Sequence, residues 1–221
     1  MTFYDILGEE LISEATGNNL LLFDIDDTLL TASGMHIYRK LPSDKEEIKL
    51  TPDEYAKEKI TPEIKKYYDY RDFKEPEKVK SSIQFGNPII PNLQVLDKYV
   101  ENGWKIGLLT ARGLEDIIYK AIQKFLKIRN PKGELENVGD KISRDLTFAV
   151  NDDIKNYKGA TDFEKKKNVV LSLIDKYDRV WLIDDDSKNI NAVNDLIKEL
   201  RNKGQRKKAN KLKAIKAKTG E

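Results

Sequence analysis

The chain contains no cysteine and a single histidine, His36. This excludes disulfide scaffolds, thiolate zinc sites and cysteine nucleophiles, leaves a multi-histidine metal site without its residues, and leaves His36 as the single base a Ser–His–Asp triad would have, which argues against one. Long apolar runs are missing as well. The longest uninterrupted ones, Leu20–Phe23 and Val180–Ile183, are four residues, against the roughly 20 needed to span a bilayer. The amino-terminal stretch MTFYDILGEELISEA carries acids where a signal peptide has a basic start and an apolar core. Neither a P-loop signature nor the GxGxxG dinucleotide turn occurs. These absences lead us to expect a cytoplasmic globular protein with no membrane partner.

Charge is abundant but nearly balanced, with 40 Lys and Arg against 38 Asp and Glu in 221 residues. The balance is uneven along the chain. Arg201, Lys203, Arg206, Lys207, Lys208, Lys211, Lys213, Lys216 and Lys218 face one acid, Glu221, giving the last 21 residues +8. The first 200 residues therefore carry −6. Such a block reads as a flexible, solubilising tail over 203–221, or as an arm that holds a polyanion.

Four short, nearly continuous apolar runs punctuate the body: Leu20–Ile25, Lys105–Thr110, Leu146–Val150 and Arg179–Ile183. Runs of this kind are expected of strands covered on both faces. Helical periodicity lies between and after them, over Asn92–Asn102 with Gly103 as its cap, Leu114–Ile128, Asp162–Tyr177 and Lys188–Arg201. The alternation predicts an α/β protein built on a Rossmann-like parallel sheet covered by helices. Ligands in such sheets sit at the carboxyl ends of the strands.

About 80 residues separate the first two strands, too many for a simple crossover. His36–Leu41 and Glu47–Leu50 read as a hairpin, and a helix is expected from Thr51 with Pro52 in its first turn. Tyr67, Tyr68, Tyr70 and Phe73 follow. They would pack this inserted segment or stack on a nucleobase. His36 reads as hairpin packing, or as a substrate contact.

Two strand ends discharge into acids. FDIDDTLL presents Asp24, Asp26 and Asp27, and WLIDDDSKN presents Asp184, Asp185 and Asp186. One acidic end alone is also explained by a solvated turn. Two such ends are best explained by convergence on a hard divalent cation, for which all-oxygen ligands favour Mg²⁺. Thr110 ends the second strand, where a hydroxyl suits a phosphate or caps the next helix. Lys165, Lys166 and Lys167 open the helix before the last strand, and most of them belong to an exposed face.

Taken together, Asp24-Ile-Asp26-Asp27-Thr28, Leu108-Leu109-Thr110, a lysine within 165–167 and Asp184-Asp185-x-x-x-Asn189 occur in the order of the four motifs of the haloacid dehalogenase (HAD) superfamily, which the chain resembles. The resemblance covers roughly residues 18–30 and 90–200. It implies a HAD core from 1–31 and 88–202, a small cap at 32–87 inserted after the first core strand, and the basic tail. It also implies a Mg²⁺-dependent phosphomonoester hydrolase. Asp24 would be the nucleophile and Asp26 the general acid and base. Thr110 and a lysine, Lys167 by preference over Lys166, Lys165 or Lys158, would hold the phosphoryl group. Mg²⁺ would be bound by Asp24, the Asp26 carbonyl and Asp185, with Asp184 in support. Thr28, Arg112 and Asn189 would orient substrate or loop.

LTAR at 108–111 extended by Arg112, and LTPDEYA at 50–56, are similar to phage-encoded HAD hydrolases, some related to the phosphatase half of polynucleotide kinase-phosphatases. The substrate classes implied are a nucleic-acid 3′-phosphate end, a nucleotide or a small phosphorylated metabolite. A phosphotransferase, and a non-catalytic nucleic-acid- or protein-binding module on the same scaffold, are the alternatives.

Overall fold

The computed structural model describes residues 17–31, 34–129 and 133–218. The amino-terminal segment read above as lacking a signal peptide, and the last three residues of the basic block, lie outside these. Five parallel strands form the central sheet: β1 (Asn19–Phe23), β7 (Lys105–Thr110), β10 (Ile142–Ala149), β11 (Arg179–Asp184) and β12 (Leu212–Lys216). Their order is β10–β7–β1–β11–β12. The chain winds outward from β1 in one direction and then in the other, so the order reverses beside β1. In open parallel sheets, that reversal leaves a crevice at the carboxyl ends of the strands.

The apolar runs form the middle layer because each strand sends alternate residues to opposite faces. Leu21 and Phe23 of β1 pack with Ile106 and Leu108 of β7 against α4 (Ile90–Glu101) and α5 (Glu115–Phe125). Leu20 and Leu22 pack with Leu109 and Leu182 against α6 (Asp162–Leu173) and α7 (Ser187–Asn202). The result is a Rossmann-like α/β arrangement with helices on both faces. Gly107 interrupts β7 for a steric reason: a Cβ there would lie 2.4 Å from the Leu146 carbonyl oxygen, where β10 slips register against β7. Gly103 ends α4 in a left-handed conformation (φ 77°), as the sequence indicated.

Two helices stop sooner than their apolar spacing suggests. α5 ends at Phe125, because Leu126 turns extended and β8 (Lys127–Arg129) pairs with β9 (Leu135–Asn137). α6 ends at Leu173. Among the described residues, no helix is long and apolar enough to cross a membrane.

The long segment after β1 begins with β2 (Leu30–Thr31), which pairs antiparallel with β6 (Asn87–Pro88). Between them, β3 (Ile37–Arg39), β4 (Ile48–Leu50) and β5 (Tyr68–Asp69) form an antiparallel sheet. Thr51 caps α1 (Pro52–Ala56) through a reciprocal bond with Glu54. After α2 (Pro62–Lys65), Tyr55, Tyr70 and Phe73 pack around a small core of Ile37, Leu50 and Tyr68. α3 (Pro76–Gln84) instead sends Val79 and Ile83 into the main core.

The basic carboxyl-terminal block is not a flexible extension over its described length. After α8 (Arg206–Ala209) it supplies β12, whose five residues pair with β11. Ala209, Leu212 and Ala217 are buried. Part of its charge is spent at home: Lys208 pairs with Asp175 at 2.7 Å, Lys211 bonds the Ile174 and Tyr177 carbonyls, and Lys213 lies over the Trp181 ring. Lysines along an edge strand also discourage pairing with another sheet.

Candidate active site

β1, β7 and β11 deliver their carboxyl ends to one place. Asp24 follows β1 directly, and its backbone N–H donates to the Ile183 carbonyl of β11 (2.9 Å). The chain then makes a tight turn in which the Ile25 carbonyl accepts from the amides of Thr28, Leu29 and Leu30, with Asp27 left-handed (φ 53°). This turn points Thr28 at the β11 loop. The Asp185 amide donates to the Thr28 hydroxyl at 3.1 Å, and that hydroxyl lies 3.4 Å from Asp185 Oδ1. Asn92, fully buried on α4, fastens the turn from behind. Its side chain donates to the Thr28 carbonyl (2.7 Å) and to the Lys218 carbonyl beyond β12 (2.8 Å).

The lysine at the centre is Lys166, not Lys167. Its ammonium lies 2.9 Å from Asp24 Oδ1 and 2.8 Å from Asp184 Oδ2, and the residue is 1% exposed. The buried face of α6 runs through Lys166, Val169, Val170 and Leu173. Leu171, which would have placed Lys167 inward, is an exposed residue. Lys165 bonds Asn151 instead, and Lys158 is exposed.

Asp184 is saturated by protein donors. Its Oδ1 accepts from the Asp186 amide (2.9 Å) and from Asn189 Nδ2 (2.9 Å), and its Oδ2 accepts from Lys166 and, at 3.0 Å, from Asn189. Lys216 of β12 holds the next residue, donating to the Asp185 carbonyl. Asp24 is different. Its Oδ1 is buried, close to the Lys166 charge but without an aligned hydrogen-bond donor. Burial pushes the Asp24 carboxyl well above its usual range, Lys166 offsets part of this, and Asp184 and Asp26 add to it. Burial, followed by the charges of Asp184 and Asp27, pushes Asp185 up to about 6.

One carboxylate oxygen from each of Asp24, Asp184 and Asp185 lies within 4.8 Å of the others, a set able to hold a metal ion. The all-oxygen donors, an Asp24 Oδ1 that lacks an aligned hydrogen-bond donor and the excess of carboxylates over Lys166 fit a hard divalent cation. The saturation of Asp184 makes Asp24 and Asp185 the open ligands and Asp184 their support.

Asp26 has a partner of its own. Arg112, two residues beyond β7, grips it with Nε at 2.8 Å from Oδ2 and Nη2 at 2.7 Å from Oδ1. Burial alone would raise the Asp26 carboxyl, but the Arg112 charge and hydrogen bonds outweigh it and hold the group below its ordinary value. A depressed folded pKa contributes stability above the unfolded value of about 4 and loses it as pH falls through the folded value. Asp26→Asn is therefore expected to cost about 2 kcal/mol at pH 6, discounted because Asp26 is one-third exposed. Urea titrations should show the gap closing below pH 4, and a gap constant with pH would refute the assignment.

Thr110, fully buried at the end of β7, accepts the Arg112 amide on its hydroxyl (3.2 Å). His36 sits at the start of the inserted sheet, its amide bonded to Asp72 (3.1 Å) and its Nδ1 3.6 Å from the same carboxylate. Tyr68 and Tyr70 bond Glu58 and Tyr55 within the insertion. Asn92, Lys216 and Ser82, which meets Arg112, had no motif to reveal them. No protein-family model, curated protein or solved structure matches this chain.

Proposed function

We propose that the protein is a Mg²⁺-dependent phosphomonoester hydrolase of HAD type, in which the inserted segment serves as the cap. The observation that carries this reading is the Asp24 carboxylate, held 2.9 Å from the Lys166 ammonium at the carboxyl end of the central strand. A nucleophilic carboxylate needs a nearby positive charge to receive a phosphoryl group. Asp24, the Asp26 carbonyl and Asp185 would hold Mg²⁺, with Asp184 fixed behind them. When bound, the ion would supply charge neutralisation for the phosphoryl oxygens. Lys166 and the Thr110 hydroxyl would hold those oxygens from the protein side.

An Asp24 oxygen attacks phosphorus, and the bond to the leaving oxygen breaks with its electron pair passing to that oxygen, which takes a proton from Asp26. Water then attacks the aspartyl-phosphate and gives a proton back to Asp26. The bond between phosphorus and the Asp24 oxygen breaks with its electron pair returning to Asp24, which frees inorganic phosphate and restores the carboxylate. Arg112 keeps resting Asp26 ionised, which suits the second half; the first half requires Asp26 to carry a proton.

The basic block favours a nucleic-acid substrate less than its composition implies. Arg201, Lys203, Arg206 and Lys207 are exposed where α7 ends and before β12 begins, at the end of the sheet opposite Asp24. Phosphate release should be assayed across aryl phosphates, nucleotides and 3′- and 5′-phosphorylated oligonucleotides, with Mg²⁺ or with EDTA. Release that EDTA abolishes is expected from at least one class. No release from any of them would reject the reading in favour of a non-catalytic module.

A further inference from the structure

Arg112 is 1% exposed, and all three guanidinium nitrogens are engaged by the protein. Two grip Asp26. The third, Nη1, donates to the Ser82 hydroxyl at 2.7 Å and lies 3.5 Å from the Val79 carbonyl. Ser82 is fully buried on α3, in the inserted segment, and its own proton goes to the Val79 carbonyl at 2.8 Å. Its oxygen is thus left as an acceptor for Arg112. A guanidinium is planar and rigid, so fixing Nη1 also fixes the direction of the fork that holds the carboxylate.

We propose that Ser82 is a positioning residue: acting from the insertion through Arg112, it holds the Asp26 carboxyl where the leaving oxygen must receive its proton. This rests on the phosphatase reading above. It makes α3 part of the aiming of the general acid as well as part of the cover. Arg112 is a positioning residue too, since each of its three nitrogens binds Asp26 or α3 and the residue is buried.

The expected signature is a dependence on the leaving group. p-Nitrophenolate departs with little help from an acid, whereas the alkoxide of glycerol 2-phosphate needs a well-placed proton. Ser82→Ala should lower kcat/KM for glycerol 2-phosphate roughly tenfold while changing that for p-nitrophenyl phosphate less than about threefold. Ser82→Cys, nearly isosteric but a poor acceptor, should show the same split in smaller measure, which separates the lost acceptor from a lost contact. Arg112→Lys, which keeps the charge and removes the fork, should split the substrates as well. Equal losses on both substrates, or no loss, would overturn the proposal. Asp24→Asn, run alongside, separates the failures. If it inactivates the enzyme while Ser82→Ala behaves as wild type, only the Ser82 role falls; if it stays active, the phosphatase reading falls and takes this proposal with it.

Discussion

Asp24→Asn is expected to reduce phosphate release by on the order of 10³-fold or more and to leave the fold at least as stable as the wild type. The two halves of this expectation come from the same geometry. Asparagine keeps the shape but offers a neutral amide in place of the nucleophilic carboxylate, so the covalent step is lost. The carboxylate it replaces is one that burial, Asp184 and Asp26 all push towards neutrality. Removing its charge leaves Lys166 paired with Asp184 at 2.8 Å, so no buried cation is stranded. Functional groups held against their own preference commonly trade stability for activity. Phosphate release and thermal melting on the same preparations check both halves. Activity equal to wild type would remove Asp24 from the mechanism. A melting point many degrees lower would show that Asp24 is a structural counterion instead of a strained nucleophile.

Much of this site was legible because strands and acids follow local rules. β1, β7, β10 and β11 announce themselves as apolar runs, and the rule for parallel sheets sends attention to Asp24, Thr110 and Asp184. The lysine was not legible, for a specific reason. Lys165, Lys166 and Lys167 are consecutive, and Val169, Val170, Leu171 and Leu173 permit two apolar faces about one residue apart. Only packing decides between them, and Leu171 lies outside. The fifth strand was hidden by its edge position. Leu212 and Ala214 pack on one face of the sheet and Ile215 on the other, while the surrounding lysines dominate composition. The Ser82–Arg112–Asp26 chain left no trace in the sequence, since its members lie 30 and 86 residues apart and no periodicity links them.

Lys166→Met is expected to be the most destabilising conservative-volume change in the site, costing about 3–5 kcal/mol at pH 8. Lys166 is the shared counterion of Asp24 and Asp184, and each of the three is almost wholly buried. Methionine fills most of the stem's volume, so the loss is electrostatic in the main. Two carboxylates would then face each other in a site with little water, and their folded pKa values would rise. The sign of the pH dependence follows. A carboxyl whose folded pKa lies above its unfolded value binds more protons in the native state, so stability falls as pH rises from about 4 through the folded pKa. The deficit against wild type should be small near pH 4 and full at pH 8. A divalent cation can take over the neutralisation, so Mg²⁺ should raise the urea midpoint of the variant more than that of the wild type. A deficit that ignores both pH and Mg²⁺ would mean that Lys166 acts through packing, and that the acids at the ends of β1 and β11 do not form a common cation site.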